Sequence, residues 1–314
     1  MLGVKLTYRT LGNTGIKTSV LSYGASSLGS VFRNINELEG IRTVHIAIDS
    51  GINLIDCSPY YGLTSAETVL GKALKEIPRD KYYLSTKTGR YDDNTFDFSA
   101  KRINQSIEES MARLGVTHFD FYHLHDIEFV DLNQIIDESL PALHELKEQG
   151  KIRFYGVTGL PLKIFTKILQ KHYLDVILSY CHYSLNDTSL LSIVPILEKK
   201  GIGIINASPT GMGLFNLEGP PSWHPAPEEI CSRTIKAVEF CKKHKVNSSH
   251  LALRFAVDNP DIHTTLVGTA SPKNMLGNIK ILETPLDLEF VKKIQKILAP
   301  IRDKSWLSGL EENN

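Results

Sequence analysis

The sequence has no excess charge of either sign and no long apolar run. Its 314 residues include 35 basic and 35 acidic side chains, so the formal net charge is zero. Proteins that bind nucleic acid or an anionic membrane normally carry a basic excess that neutralises phosphate groups. A helix that spans a bilayer needs about 20 consecutive apolar residues. The composition therefore predicts neither a nucleic-acid partner nor a membrane partner.

Cysteine is also scarce. The four cysteines, Cys57, Cys181, Cys231 and Cys241, are scattered without C-x-x-C spacing, which argues against a disulfide framework or a zinc module. The first seven residues lack the charged-then-apolar layout of a secretory signal. Reduced thiols in a cytoplasmic protein are expected, and no segment indicates an obligate protein partner.

No linker, charge block or low-complexity tract divides the chain, so residues 1–314 are expected to form one domain. Turn signals at Gly12-Asn13 and Thr14-Gly15 predict a β-hairpin over Tyr8–Ile16. Short β-rich runs and longer helical patterns then alternate. The eight strand candidates are Val20–Ala25, Asn53–Ser58, Tyr82–Thr88, Phe119–His125, Arg153–Thr158, Val176–Cys181, Gly203–Ala207 and Thr264–Thr269.

Helical patterns separate these candidates. Ser99–Leu114 begins with a capping serine and repeats apolar residues at three- and four-residue steps, and Leu132–Lys147 and Leu162–Leu169 are similar. Alternating strands and helices imply parallel strands, because each crossover needs a helix. Eight such units predict an α/β fold, a closed (β/α)8 TIM barrel. An open doubly wound sheet is the alternative, but its G-x-G-x-x-G motif after the first strand is missing.

Polar residues end three neighbouring strand candidates. Asp56, Lys87 and His125 close the second, third and fourth candidates, and Tyr61 follows on the loop after Asp56. In a barrel of parallel strands, the carboxyl ends meet at the face that carries the active site. The sequence therefore predicts that these four side chains converge.

Together the four residues suit proton transfer at an alcohol or carbonyl oxygen. A free phenol has a pKa near 10, and one ammonium about 4 Å away supplies about 4 kcal/mol at an effective dielectric near 20. Lys87 is therefore expected to lower the pKa of Tyr61 towards neutrality without other help. Asp56 would keep Lys87 protonated and aimed, and His125 would bind the reacting oxygen. This chemistry predicts proton transfer coupled to hydride movement.

A metal site is the alternative interpretation of one motif. His123 and His125 share a face of their strand, and with Asp126 they could begin the site of a metal-dependent hydrolase. The later strand ends offer Thr158, the Cys181-His182 pair and Thr269, which form a poor ligand set. No metal is expected.

Several stretches resemble the aldo-keto reductases. They are Asp56-Cys57-Ser58-Pro59-Tyr60-Tyr61-Gly62, Glu67 with Leu70-Gly71, Ser85-Thr86-Lys87, Asp120 to His125, Gly156-Val157-Thr158-Gly159, Ala207-Ser208-Pro209 and Gly268-Thr269. The resemblance implies a barrel that binds a nicotinamide cofactor without a Rossmann fold. It also implies a catalytic tetrad of Asp56, Tyr61, Lys87 and His125.

Further stretches resemble sugar-oxidising members of that family, among them Phe96 to Ser99, Ile177 to Tyr183 and Gly219 to Pro225. This likeness implies NAD-dependent oxidation of an aldose at its anomeric carbon to a lactone. L-galactose is the expected substrate, as in ascorbate formation, with L-fucose and D-arabinose as alternatives. An NADPH-dependent carbonyl reductase and a non-catalytic, cofactor-bound regulatory subunit are rival functions.

The same resemblance assigns cofactor contacts to the strand ends and to the segment after the eighth strand candidate. These are Gly24, Thr158, Tyr180, Ser208, Gly268, Thr269, Asn274 and Asn278. NADP-selective relatives hold the 2′-phosphate with a lysine and an arginine, and the matching positions here are Gly268 and Asn274. NAD is therefore expected. Three positions depart from the family pattern: Gly159 replaces an asparagine, Tyr180 a glutamine and Ala207 an aromatic residue.

Substrate contacts are expected from His125 and from the long loop Thr210–Glu229, which contains Trp223 and His224. Loops of this length in compact barrels are usually functional. A proline-stiffened loop with an aromatic residue could cover a sugar ring and exclude water. The C-terminal Trp306–Asn314 could either close over the cofactor or extend into solvent.

Overall fold

An antiparallel hairpin opens the fold. The computed structural model describes residues 5–31 and 34–314. Its first strands, β1 (Tyr8–Thr10) and β2 (Lys17–Ser19), pair across a short helical turn at Gly12–Thr14. The predicted hairpin is confirmed, but it was placed too early, because its second strand begins after Ile16.

Eight parallel strands follow and close into a barrel, in which neighbours along the chain are neighbours in space and the last strand pairs with the first. This confirms the predicted fold. The strands are β3 Leu21–Gly24, β4 Leu54–Asp56, β5 Tyr83–Thr88, β6 Phe119–Leu124, β7 Ile152–Gly159, β8 Val176–Tyr180, β9 Gly203–Ala207 and β10 Thr264–Gly268.

Helices surround this ring. They are α1 Glu37–Asp49, α2 Ser65–Leu74, α3 Ala100–Leu114, α4 Leu132–Gln134, α5 Leu140–Glu148, α6 Leu162–Leu169, α7 Val194–Lys199, α8 Glu228–Lys243, α9 Ser248–Asp258, α10 Pro272–Lys280 and α11 Leu288–Leu298. Ser99 caps α3 as predicted, since its side chain accepts a hydrogen bond from the Arg102 amide. The predicted helix Leu132–Lys147 is interrupted by a π-helical turn at Ile135–Ser139. No helix in the described part of the chain combines the length and apolar character needed to cross a bilayer.

The hairpin closes the amino-terminal end of the barrel. Leu11 and Ile16 belong to the apolar cluster inside the ring, together with residues such as Phe121 and Leu178. The turn fits against the start of β9, where a Cβ on Gly12 would lie 2.4 Å from the Gly203 nitrogen. Gly12 also has a positive φ of 51°, so both its conformation and its packing require glycine. Open space therefore lies at the carboxyl end of the strands.

Candidate active site

The four residues expected to converge lie together at the carboxyl end of the barrel. Asp56 is the last residue of β4, Lys87 lies next to the end of β5, and His125 follows β6 directly. These three side chains are buried, with exposures of 3%, 1% and 3%. Tyr61 lies on the loop after β4 and is partly exposed. The strands thus hold three of the groups, and the loop brings the phenol over them.

A buried ion pair forms the base of the site. Lys87 Nζ donates a hydrogen bond to Asp56 Oδ2. It also donates to the Cys57 carbonyl oxygen, which lies 2.8 Å away. The Ser85 hydroxyl donates to Asp56 Oδ1 at 2.7 Å. The ammonium lies 4.9 Å from the centre of the Tyr61 ring. Burial lowers the pKa of Lys87, but Asp56 and Tyr61 more than offset it, so the net pKa is raised. Lys87 therefore stays charged beside the phenol.

The pKa of Tyr61 differs from the sequence expectation. Burial raises it, the charge and hydrogen bond of Lys87 lower it, and Asp56 and Asp126 raise it again, for a net increase. The expectation that Lys87 alone brings the phenol to neutrality is therefore wrong. The energy estimate started from the pKa of a free phenol, so it did not add the cost of desolvating the phenolate, and it gave little weight to the opposing carboxylates.

His125 is held as a neutral imidazole. Its Nδ1 lies 2.9 Å from Ser58 Oγ. The rings of Tyr60 and Tyr61 each contact the imidazole edge-on, with 5.6 Å between ring centres. Burial lowers the pKa of His125 to about 3, with Lys87 and Arg90 lowering it further and Asp126 opposing them. At neutral pH the ring can therefore donate or accept hydrogen bonds without carrying charge.

A second buried ion pair forms the adjoining wall. Arg90 donates to Asp126 Oδ2 at 2.6 Å, and the Thr158 hydroxyl donates to Asp126 Oδ1 at 2.9 Å. Asp126 Oδ2 also lies 3.7 Å from His125 Nε2. Sequence reasoning missed this pair because it weighed Asp126 only as a metal ligand. The available signal was an acid directly after the histidine at the end of a strand.

The residues weighed for a metal site have other surroundings. The Asp126 carboxylate accepts a hydrogen bond from Arg90, and His125 Nδ1 lies within hydrogen-bond distance of the Ser58 hydroxyl. His123 is fully buried inside the barrel, and neither of its ring nitrogens has a hydrogen-bond partner. Burial lowers the pKa of His123 well below its ordinary value, so the ring is neutral. Within residues 5–31 and 34–314, no group of three or more His, Cys, Asp or Glu side chains could hold a metal ion. The four cysteines are free thiols.

Comparison with protein families matches residues 20–299 to the Aldo/keto reductase family. The chain belongs to this family. It is 45% identical to an L-galactose dehydrogenase of Arabidopsis thaliana, over 98% of this chain and 99% of the relative. It is 31% identical to a D-arabinose 1-dehydrogenase of Saccharomyces cerevisiae, over 85% of this chain and 86% of the relative.

Solved structures of aldo-keto reductases share the fold. The reductase AKR11C1 from Bacillus halodurans superposes with a TM-score of 0.78 at 24% identity, covering 98% of this chain and 99% of its own. At that identity the likeness supports the architecture alone. Family membership, by contrast, makes this protein an aldo-keto reductase oxidoreductase.

A cavity of about 610 Å³ opens beside the tetrad of this aldo-keto reductase. Asp56 and Tyr61 line its inner part, and Trp223 lines it from the long loop. Most of the predicted cofactor contacts also line it: Gly24, Ser208, Gly268, Thr269, Asn274 and Asn278. Its volume is within the range of cofactor sites. Among residues 5–31 and 34–314, no lysine or arginine lines it.

Four residues predicted to contact ligands do not line this cavity: His125, Thr158, Tyr180 and His224. The Thr158 hydroxyl is bonded to Asp126, and the Tyr180 hydroxyl lies 3.4 Å from Glu128 Oε1. His224 Nε2 lies 2.8 Å from the Gly211 carbonyl oxygen, and its Nδ1 accepts from the Ala226 amide at 3.1 Å. Both ring nitrogens of His224 therefore hold the long loop together. Ligand contacts by these four residues stay predictions.

The C-terminal segment packs on the loop after β6. The Ser308 hydroxyl donates to Glu128 Oε1 at 2.9 Å, and the Leu310 amide and the Asn313 side chain donate to the Glu128 carbonyl oxygen at 2.8 and 3.0 Å. Trp306 contacts the His224 ring edge-on at 5.1 Å. The alternative that the segment extends into solvent is therefore wrong. The segment does not line the cavity, and its closure over the cofactor stays a prediction.

Proposed function

We propose that this aldo-keto reductase oxidises an aldose at its anomeric carbon to the lactone, with NAD as cofactor and L-galactose as the preferred sugar. The observation that carries the reaction type is the buried Asp56–Lys87 pair beside the Tyr61 phenol, where Asp56 and Tyr61 line a cavity of about 610 Å³. A cytoplasmic location and a contribution to ascorbate formation are part of the same proposal.

The choice of sugar rests on the relatives. The Arabidopsis protein is named for L-galactose and the yeast protein for D-arabinose. The higher identity, 45% against 31%, favours L-galactose. Trp223, 48% exposed and lining the cavity, offers an apolar ring face against which a sugar could pack.

Each member of the tetrad has a distinct part in this reaction. Tyr61 takes the proton of the C1 hydroxyl while the hydride leaves the same carbon, which forms the lactone carbonyl. Lys87 stabilises the phenolate, and Asp56 keeps Lys87 charged and aimed. His125, as a neutral imidazole, binds the C1 oxygen and fixes its position. NAD, when bound, supplies the hydride acceptor and a positive charge that favours the phenolate.

The cavity residues fit NAD better than NADP. Gly24 and Gly268 line the cavity without side chains. They also lie close together, because a Cβ on Gly268 would be 3.1 Å from the Gly24 carbonyl oxygen. The amino terminus of α10, capped by Ser271, offers backbone amides for phosphate oxygens. The lysine and arginine that would neutralise a 2′-phosphate are replaced by Gly268 and Asn274, and a phosphate there would lack the partner that it normally requires.

The test compares initial rates on a panel of aldoses with NAD and with NADP, for the wild type and Tyr61→Phe. We expect L-galactose with NAD to give the highest kcat/KM, and Tyr61→Phe to lower kcat by about 100-fold or more, because general-base catalysis contributes 10²–10⁴. Faster aldehyde reduction with NADPH would favour the carbonyl reductase alternative. Negligible turnover together with a stably bound partner protein would favour the regulatory subunit. Near-normal activity of Tyr61→Phe would refute the mechanism.

A further inference from the structure

Ser58 is a fully buried serine beside the tetrad, and the mechanism above gives it no part. We propose that Ser58 fixes His125 in the neutral tautomer that carries its hydrogen on Nε2, and is thus a positioning residue of this site. The proposal depends on the proposed function only for its effect on turnover. The tautomer itself follows from the contacts of the two side chains.

The Ser58 hydroxyl has one hydrogen to donate and two close contacts. Its Oγ accepts a hydrogen bond from the Tyr60 amide at 3.1 Å, and it lies 2.9 Å from His125 Nδ1. The backbone amide can only donate, so the hydroxyl hydrogen remains available for the imidazole. When Ser58 donates that hydrogen, Nδ1 is the acceptor and the ring hydrogen lies on Nε2. The serine hydroxyl and Nδ1 are then both paired.

The opposite tautomer leaves groups unpaired. With the hydrogen on Nδ1, the imidazole would donate to Ser58 Oγ, and the buried serine hydroxyl would have no acceptor among its contacts. An unpaired polar hydrogen in a buried site is costly. The other ring nitrogen would then present a lone pair towards Asp126 Oδ2, 3.7 Å away. Two acceptors facing each other at that distance repel, so both ends of the ring favour hydrogen on Nε2.

The surroundings also restrict the orientation of the ring. The rings of Tyr60 and Tyr61 lie side by side, and each contacts the imidazole edge-on with 5.6 Å between ring centres. The Tyr60 amide also donates a hydrogen bond to Ser58 Oγ. One short segment therefore sets both the position of the imidazole and its tautomer. Burial lowers the pKa of His125 to about 3, so the ring is neutral and has one hydrogen to place on either nitrogen.

This tautomer has a consequence for the reaction. The C1 oxygen of the sugar is a hydroxyl before the reaction and a carbonyl after it. The Nε2 hydrogen can be donated to this oxygen in both forms, without proton transfer from the ring. The other tautomer could only accept from the hydroxyl, and its lone pair would oppose the carbonyl oxygen. Ser58 therefore selects the form of His125 that binds substrate oxygen throughout the reaction.

The direct test is NMR of the protein labelled with ¹⁵N in its histidine rings. The His125 signals are assigned by their loss in His125→Asn. In the wild type at neutral pH we expect a protonated Nε2 and an unprotonated Nδ1. A protonated Nδ1 would overturn the proposal. The measurement needs no sugar and no turnover, so it can succeed even where the proposed function fails.

Ser58→Ala tests the cause. We expect the two His125 tautomers to become mixed and kcat to fall by roughly tenfold, with little change in KM for the cofactor. Ser139→Ala is the matched control, because it removes another buried hydroxyl that donates, at 2.7 Å, to the Phe98 carbonyl oxygen. The control should leave the His125 signals and kcat unchanged. If Ser58→Ala keeps a pure Nε2 tautomer, the proposal is wrong; if that variant fails to fold, the wild-type spectrum still decides.

Discussion

Two buried carboxyl groups lie at the same end of the barrel, in opposite surroundings. Asp56 accepts hydrogen bonds from Lys87 and Ser85. In the part of the chain that the structure describes, no cation contacts Glu128: its Oε1 accepts from the Leu160 amide and the Ser308 hydroxyl, and its Oε2 has no partner. Burial raises the pKa of Glu128 to about 8, with the Asp126 charge adding to the rise. Its carboxyl group therefore retains its proton at neutral pH.

The difference shows what a buried acid needs in order to stay ionised. A cation in direct contact offsets the loss of hydration, and hydrogen bonds to the remaining oxygens complete the compensation. Lys87 supplies that cation to Asp56, and Arg90 supplies it to Asp126. Glu128 receives none. The Asp56–Lys87 pair belongs to the proposed reaction, and Glu128 holds the C-terminal segment.

Removing the cation should have the largest effect. Lys87→Met leaves Asp56 as an unpaired buried charge, so we expect the free energy of unfolding to fall by about 3–5 kcal/mol. Without its ammonium, Tyr61 has no phenolate stabiliser from the protein, and kcat should fall by about 10³ or more. Urea unfolding and steady-state rates measure the two effects.

Lys147→Met is the matched control for that variant, since it breaks the partly exposed pair with Asp175, whose oxygen lies 2.9 Å away, outside the tetrad. We expect this control to retain most of the activity. Retention of more than a tenth of the wild-type kcat by Lys87→Met would contradict the role assigned to the ammonium.

Removing the charge from the other carboxyl should have the next largest effect. A free glutamate has a pKa near 4.3 and Glu128 one of about 8, so unfolding releases its proton between these values. The wild type therefore loses up to about 1.4 kcal/mol of stability per pH unit from about 4.3 to 8 through this group. Glu128→Gln removes that loss and should be more stable than the wild type at pH 8, but not at pH 4.

Urea unfolding at several pH values measures this difference. Glu311→Gln, which changes an exposed carboxyl of the same C-terminal segment, should follow the wild-type curve throughout. If the stabilities of Glu128→Gln and the wild type stay parallel from pH 4 to pH 8, then Glu128 is ionised in the folded protein and its contrast with Asp56 disappears.

Adding an exposed cation should have the smallest effect. Asn274 lies exposed on the cavity wall. Asn274→Arg would place a guanidinium at the position expected for the 2′-phosphate of NADP. We expect the ratio of kcat/KM for NADP to that for NAD to rise by about tenfold, since a charge-assisted hydrogen bond contributes about 1.5 kcal/mol. Leu276→Arg puts the same charge on α10 away from the cavity lining and should leave the ratio unchanged. Equal increases in both variants would mean that net charge, and not position, is responsible.

The barrel was predictable because its signals are local. Each strand is a short apolar run, each helix has its own periodicity, and the polar residues at strand ends mark the face where they meet. The errors lie at those ends. The strands predicted to end at His125 and Cys181 end one residue earlier, since the chain turns away there: Cys181 has a φ of 65° and Asp126, after His125, one of 54°.

The missed features depend on residues that are distant in the sequence. Glu128 and Ser308 are 180 positions apart, and Ser58 and His125 are 67 apart. No local pattern indicates such pairs. The error on the pKa of Tyr61 has a related cause, because the pKa depends on how much water every neighbouring element removes from the ring. The sequence also cannot show that backbone groups occupy both ring nitrogens of His224.

The closed amino-terminal end of the barrel has a kinetic consequence. With Leu11 and Ile16 packed inside the ring, the sugar and dinucleotide of the proposed reaction would both approach from the carboxyl end of the strands. If one of them covers the other there, the covered molecule would enter first and depart last, and turnover would follow a compulsory order.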